Sequence, residues 1–175
     1  INTPGRAFDV RVSGNYLYVA DSSSVIIYSI SGETLSYMKL LDYNIEALGI
    51  DVSNDTVYIA NGRYGALVWD PHTNSVERID LGDNCFCTDI LVNGKTIFVT
   101  DLNKGLLIYD GSIPGSFIEV GSYETGGYAS RMDVDVTKIG IADGPDGLYF
   151  LESEIKPQIE LLIPGIKPGG VNRIN

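Results

Sequence analysis

The residues best able to do chemistry fall into two acidic sets that recur at fixed places. The first is Asp21, Asn61, Asp101 and Asp143. The segments Asp101-Leu-Asn-Lys-Gly and Asp143-Gly-Pro-Asp-Gly partly match calcium-binding loops, which present oxygens from alternate residues. The Glu that closes an EF-hand at its twelfth position is missing, so turn capping is the plainer role, with Gly105 and Gly147 supplying positive φ. The second set is Asp9, Asp89 and Asp133, with Gly49 breaking the series. If brought together they are the candidate metal ligands, with Asp51 and Asp135 two residues further along in support. The competing role is acceptance of hydrogen bonds from backbone amides. No cofactor is called for, and calcium is the one candidate cation.

The other reactive groups are sparse. Cys85-Phe-Cys87 has metal half-site spacing, but no further Cys completes a thiolate set. Residues two apart on a strand are too distant for a relaxed disulfide. Both Cys instead align with small or apolar residues of other segments and are expected to be buried. His72, the only histidine, lies in the turn Asp70-Pro-His-Thr-Asn and has no evident Ser, Cys or Asp partner. No phosphate loop, dinucleotide fingerprint or haem-attachment motif occurs. Asn54-Asp-Thr is a glycosylation sequon on a hairpin tip. Among 11 Tyr, the strand positions Tyr16, Tyr18, Tyr28, Tyr58 and Tyr109 read as packing. Tyr43, Tyr64, Tyr123 and Tyr128 lie nearer loops and are the candidate interaction residues.

These residues are positioned by an internal repeat. Ala7-Phe-Asp-Val-Arg-Val, Ala47-Leu-Gly-Ile-Asp-Val and Cys87-Thr-Asp-Ile-Leu-Val are spaced by 40 residues. Tyr16-Leu-Tyr-Val-Ala-Asp, Thr56-Val-Tyr-Ile-Ala-Asn and Thr96-Ile-Phe-Val-Thr-Asp follow them. A fourth copy reads Met132-Asp-Val-Asp-Val and Lys138-Ile-Gly-Ile-Ala-Asp, aligned with a turn two residues shorter. Third apolar runs begin at Val25, Ala66, Leu106 and Leu148. Weaker, alternating fourth strands are expected at 34–40, 75–81, 117–123 and 158–163. Short Val-, Ile- and Tyr-rich runs bounded by Gly, Asn, Asp and Ser are strands. The middle strands are apolar on both faces, as in a sheet packed between two like sheets. Four short strands every 40 residues predict an all-β chain, a β-propeller of four blades. The repeats span 7–46, 47–86, 87–128 and 129–163, within a propeller over 1–163 and ahead of a Pro/Gly-rich tail at 164–175. A two-sheet β-sandwich explains the alternation but not the fixed spacing. Four blades form a small ring, part of a larger one, or half of a ring closed by a second chain. In a propeller, Asp9, Asp89 and Asp133 would stand near one mouth of the central channel.

Tyr18-Val-Ala-Asp, Tyr58-Ile-Ala-Asn and Phe98-Val-Thr-Asp resemble the YVTN-type repeat. Leu106-Leu-Ile-Tyr-Asp and the segment Gly121-Ser-Tyr-Glu-Thr-Gly-Gly-Tyr-Ala-Ser-Arg resemble the LVIVD repeat. The resemblance covers about residues 7–163. It implies a β-propeller of prokaryotic cell-surface or secreted proteins with a non-enzymatic binding or scaffold role, and it transfers no catalytic residue.

Composition narrows the partners. With 175 residues, 44% apolar and 20% charged, the chain is of globular rather than disordered type. Its longest apolar runs are about four residues, so no segment is expected to insert in a membrane. A net charge of −11 without a basic block argues against nucleic acid. The chain starts at Ile1 with no signal-like segment, as expected of a processed protein or a fragment. The expected partner is a protein or a second copy, and the expected location is extracellular or the cell surface. The alternative activity is a metal-dependent enzyme using the channel-mouth carboxylates.

Overall fold

The computed structural model describes residues 1–42, 44–135 and 137–152. They form antiparallel sheets arranged as successive blades. Blade 1 contains β1 (Asp9–Ser13), β2 (Tyr16–Ala20), β3 (Val25–Ser31) and β4 (Thr34–Leu41). Blade 2 contains β5 (Gly49–Ser53), β6 (Thr56–Ala60), β7 (Ala66–Asp70) and β8 (Ser75–Ile79). Blade 3 contains β9 (Cys87–Asn93), β10 (Thr96–Asp101), β11 (Gly105–Ile113) and β12 (Ser116–Tyr123). Blade 4 contains β13 (Arg131–Asp135), β14 (Lys138–Ala142) and β15 (Leu148–Glu152). The expected strand at 158–163 and the tail at 164–175 lie outside the described residues, as does Tyr43. A three-residue 3-10 turn, Gly144–Asp146, joins β14 to β15.

Each blade is a meander in sequence order, because each connection is a tight turn. The first hairpin of blade 2 turns at Asn54 and Asp55, both at positive φ. That geometry matches the right-handed twist of the flanking strands. In blades 1 and 3 Gly14 and Gly94 take the positive-φ position.

The core lies between blades rather than inside them, since a single sheet has no interior. Tyr18, Ala20, Val25 and Ile27 of blade 1 pack against Ile50, Val57, Ile59 and Trp69 of blade 2. Ala60, Ala66 and Val68 of blade 2 meet Ile90, Ile97, Val99 and Tyr109 of blade 3. Phe98, Leu106 and Ile108 of blade 3 meet Met132, Ile139 and Ile141 of blade 4. Alternate residues of a strand serve opposite faces, so every residue of β10 is buried. The double-sided apolar runs of the sequence have this origin.

The fourth repeat is registered differently from its sequence alignment. Arg131 lies opposite Ala142, as Asp9 lies opposite Ala20, Gly49 opposite Ala60 and Asp89 opposite Thr100. The equivalent residues are therefore Ala7, Ala47, Cys87 and Ala129, and the third interval is two residues longer. Asp135 pairs with Lys138 across the same interval as Ser13 and Tyr16, so the first hairpin is not shortened. A slip of two keeps every side chain on its own face of a strand. Asp133-Val-Asp-Val therefore passes for Asp9-Val-Arg-Val in sequence. Asp133 belongs with Arg11, Asp51 and Leu91, and Arg131 takes the slot of Asp9, Gly49 and Asp89.

Candidate functional site: the channel mouth and the loop face

The inner strands β1, β5, β9 and β13 stand side by side and bring the equivalent positions Asp9, Gly49, Asp89 and Arg131 to one channel mouth. Carboxylates there tie each blade to the next. Asp9 Oδ2 accepts the Ile50 amide at 3.0 Å. Asp89 Oδ2 accepts the Met132 amide at 3.0 Å. Gly49 has no side chain to offer, and a Cβ there would lie 2.8 Å from Asp89 Oδ1. The junction between blades 2 and 3 instead uses the slot two residues on. There Asp51 Oδ2 accepts the Val92 amide at 2.8 Å, while Oδ1 pairs with Arg11 Nε at 3.1 Å. The amide-accepting role proposed for Asp9 and Asp89 from sequence is the one the geometry displays.

Arg131 occupies the fourth place. Its Nη2 donates to Phe8 O at 3.2 Å and Leu48 O at 3.1 Å. Its Nη1 donates to Thr88 O at 3.5 Å and lies 3.5 Å from Asp89 Oδ1. One guanidinium thus joins blade 4 to the other three, a task its fork of five donors suits. Burial raises the Asp89 pKa, while the Met132 amide and Arg131 pull against that shift. Asp133 is exposed and, among the described residues, accepts only its neighbour's amide, Val134 N, at 3.0 Å. Asp9, Asp89 and Asp133 are therefore not assembled as three ligands. Among the described residues no three His, Cys, Asp or Glu side chains converge on a metal position. Asp135 is likewise exposed at the far end of β13.

The set after each second strand is fully buried, and in blades 1 to 3 it ties the blade to the linker that enters it. Asp21 accepts Gly5 N and Thr3 Oγ1, both at 2.6 Å. Asn61 accepts Glu46 N at 2.5 Å and donates to Asn44 O at 3.2 Å. Asp101 accepts Phe86 N at 2.7 Å, and Asn103 N at 2.8 Å and Lys104 N at 3.2 Å cap its own turn. Gly105 and Gly147 take the expected positive φ. Asp143 differs, since neither carboxylate oxygen has a partner among the described residues. Gly127 runs against it so closely that a Cβ would lie 2.5 Å from Asp143 Oδ2.

The remaining candidates occupy ordinary positions. Cys87 is fully buried and Cys85 partly so, both are free, and burial raises both thiol pKa values. His72 is exposed in a turn whose amide is held by Asp70 Oδ1 at 2.7 Å. Asn54 is exposed on its hairpin tip. Tyr64, Tyr123 and Tyr128 are exposed at one end of the propeller, where second strands finish and linkers arrive. Tyr64 neighbours the Arg63–Glu46 pair, and Tyr123 sets its ring edgewise on Tyr149 at 5.8 Å. Between Tyr123 and Tyr128, residues Glu124 to Gly127 face Asn103 to Gly105 across a cleft of about 320 Å³. The residue that sequence reasoning missed is Arg131. A lone cation in a carboxylate slot is a visible signal once the register is set by Ala129.

Consecutive four-stranded meanders packed face to face around a channel define a β-propeller. Within it, the LVIVD repeat model matches residues 4–40 and 87–125, in blades 1 and 3. Solved structures agree on the fold. The computationally designed Ika4 protein superposes with a TM-score of 0.68 at 10% identity, covering 87% of this chain and 94% of Ika4. The computationally designed Ika8 protein gives 0.64 at 9% identity, over 83% of this chain and 45% of Ika8. BamB from Moraxella catarrhalis gives 0.65 at 14% identity, over 81% of this chain and 41% of BamB. The chain thus spans less than half the length of the latter two. No curated protein matches it in sequence.

Proposed function

We propose that this propeller is a non-enzymatic cell-surface or secreted scaffold that binds a protein partner or assembles with itself. The observation that carries the binding role is the loop face, where Tyr64, Tyr123 and Tyr128 are exposed and Tyr123 and Tyr128 border the Glu124–Gly127 segment that lines a cleft. Tyrosine combines a large apolar ring with a polar tip and loses little entropy on binding, which makes it effective at interfaces. At the mouth, Arg131 stands where the rival enzymatic reading needs a carboxylate. The surface location is supported by the resemblance to repeats of surface proteins.

The test is capture from an extract of the source cells with Tyr64→Ala/Tyr128→Ala protein beside wild type. A Tyr37→Ala control alters an exposed tyrosine of an outer strand. The expected result is a partner retained by wild type and control and lost by the double variant. Equal capture by all three removes the loop face from the proposal. Protease treatment of intact source cells tests the location, the expected outcome being loss of the propeller while cytoplasmic proteins persist.

A further inference from the structure

We propose that the cleft between blades 1 and 2 binds a small alkylated ammonium ion, held between the rings of Tyr16 and Tyr18 and the carboxylate of Asp55. The cleft lies at the end of the blades where second strands begin, opposite the tyrosine loop face. It stands or falls independently of that face.

Both blades line this cleft of about 380 Å³, with Tyr16, Tyr18, Ile27 and Met38 from blade 1 and Asp55 and His72 from blade 2. Tyr16 and Tyr18 lie two apart on β2, so their rings leave the same face of the sheet. The ring planes stand at 62° with centroids 6.5 Å apart, which makes two walls of a box. A cation lodged in that angle comes within about 6 Å of both centroids, the reach of the cation–π attraction. Tyr16 and Met38 are exposed and open the box to solvent. Asp55 brings a carboxylate from the first hairpin of blade 2, and among the described residues it has no salt-bridge partner. Burial, and after it the Asp55 charge, raises the Tyr18 pKa, so the carboxylate and the ring share one field. A bare inorganic cation would leave the rings, Ile27 and Met38 against water. The lining therefore selects a charge that carries alkyl surface.

The other blades show what the fold alone requires. Tyr16, Thr56 and Thr96 are equivalent, since they pair with Ser13, Ser53 and Asn93 at the ends of the first strands. Asp55, one residue ahead of its second strand, holds the place of Asn15 and Lys95. The cleft between blades 2 and 3 keeps Tyr58 but has Thr56 where the second wall would stand, and its volume is about 240 Å³. Blades fold with Thr and Lys at these places, so packing does not demand the ring and the acid of the first cleft. Lys39 also lines that cleft. Its ammonium donates to Pro71 O and stands 6.0 Å from the Trp69 ring centroid, which ties its charge to blade 2. The net charge of −11 favours the approach of a cation over that of an anion.

The experiment is NMR titration of the full chain with choline chloride at constant ionic strength. Its neutral isostere 3,3-dimethylbutan-1-ol and inorganic phosphate are titrated separately. The variants are Tyr16→Thr and Asp55→Asn, which place residues from equivalent positions of other blades at these two sites. Choline is expected to give saturable shifts centred on Tyr16, Tyr18, Met38 and Asp55. The neutral isostere is expected to bind about tenfold more weakly, because it keeps the shape and loses the charge. Each variant is expected to weaken choline about tenfold while keeping the wild-type melting temperature, and either one alone decides. No saturable choline binding overturns the proposal. So do equal binding of the isostere, shifts centred elsewhere, wild-type affinity in a folded variant, and phosphate binding at the cleft in place of choline.

Discussion

Leu106 and Leu148 begin the third strands of neighbouring blades at equivalent positions, yet Leu106 is buried and Leu148 is exposed. The contrast runs through both blades. In blade 3 the carboxylate after the second strand, Asp101, accepts three amides. In blade 4 its counterpart Asp143 is buried with no partner among the described residues. Both blades meet a neighbour on their leading side, but only blade 3 has a described one on its trailing side. Burial in a propeller belongs to the junction between repeats and not to the repeat itself. A stack of such units is stabilised mainly by nearest-neighbour contacts.

The largest expected effect breaks this comparison directly. Leu106→Ala leaves a cavity between blades 3 and 4 and is expected to cost about 2–5 kcal/mol. Leu148→Ala is expected to change stability by less than about 0.5 kcal/mol. Urea unfolding of the two variants side by side measures both. Equal losses would mean that Leu148 is buried in the working protein. Next in size is Arg131→Met. It removes donors to three blades and deprives Asp89 of its cation, with an expected loss of about 2–3 kcal/mol. An unchanged melting temperature would show that the mouth is held without it.

The blades were legible because their causes are local and repeated. Hairpin turns at Ser13-Gly14, Ser53-Asn54 and Asn93-Gly94, and runs apolar on both faces, write a propeller into the sequence. The mouth was only half legible. Asp9 and Asp89 could be named because they share a slot, but the fourth member was misassigned to Asp133. A two-residue slip leaves a strand's faces unchanged, and only the pairing of Arg131 with Ala142 removes the ambiguity. The exposure of Val10, Leu148 and Phe150 was not legible at all. Their residue types match the buried positions of other blades, and the difference lies in what stands beside them.

A smaller effect sharpens the contrast between Asp101 and Asp143. Asp101→Ala strands three amides and is expected to cost about 2 kcal/mol. Asp143→Asn replaces a buried carboxyl that has no partner among the described residues while keeping the shape that Asn61 shows to be compatible with this slot. It is expected to stabilise by about 1 kcal/mol in EDTA. Wild type beside Asp143→Asn also tests calcium binding by the Asp143 loop. Calcium that raises the melting temperature of wild type but not of Asp143→Asn supports it. No shift in either protein removes it.

The smallest effect concerns protonation and contrasts the mouth with the outer turns. Burial raises the pKa of Asp89, against the Met132 amide and Arg131. Hydroxyl hydrogen bonds from Thr73 and Ser112 lower those of Asp70 and Asp110 on the exposed turns. The signs oppose each other. The folded protein holds a proton on Asp89 more tightly than the unfolded chain does. Its contribution to stability is therefore complete below the ordinary aspartate range and is lost as pH rises through the raised value. For Asp70 and Asp110 the contribution is present above the ordinary range and is lost as pH falls through the lowered values. Carboxyl NMR titration resolves the order, with Asp70 and Asp110 expected to ionise before Asp89 as pH rises. In Arg131→Met, Asp89 is expected to titrate higher still, because the neighbouring cation no longer favours its anion. If Asp89 instead ionises together with the exposed turns, water reaches the mouth and the guanidinium does not seal it.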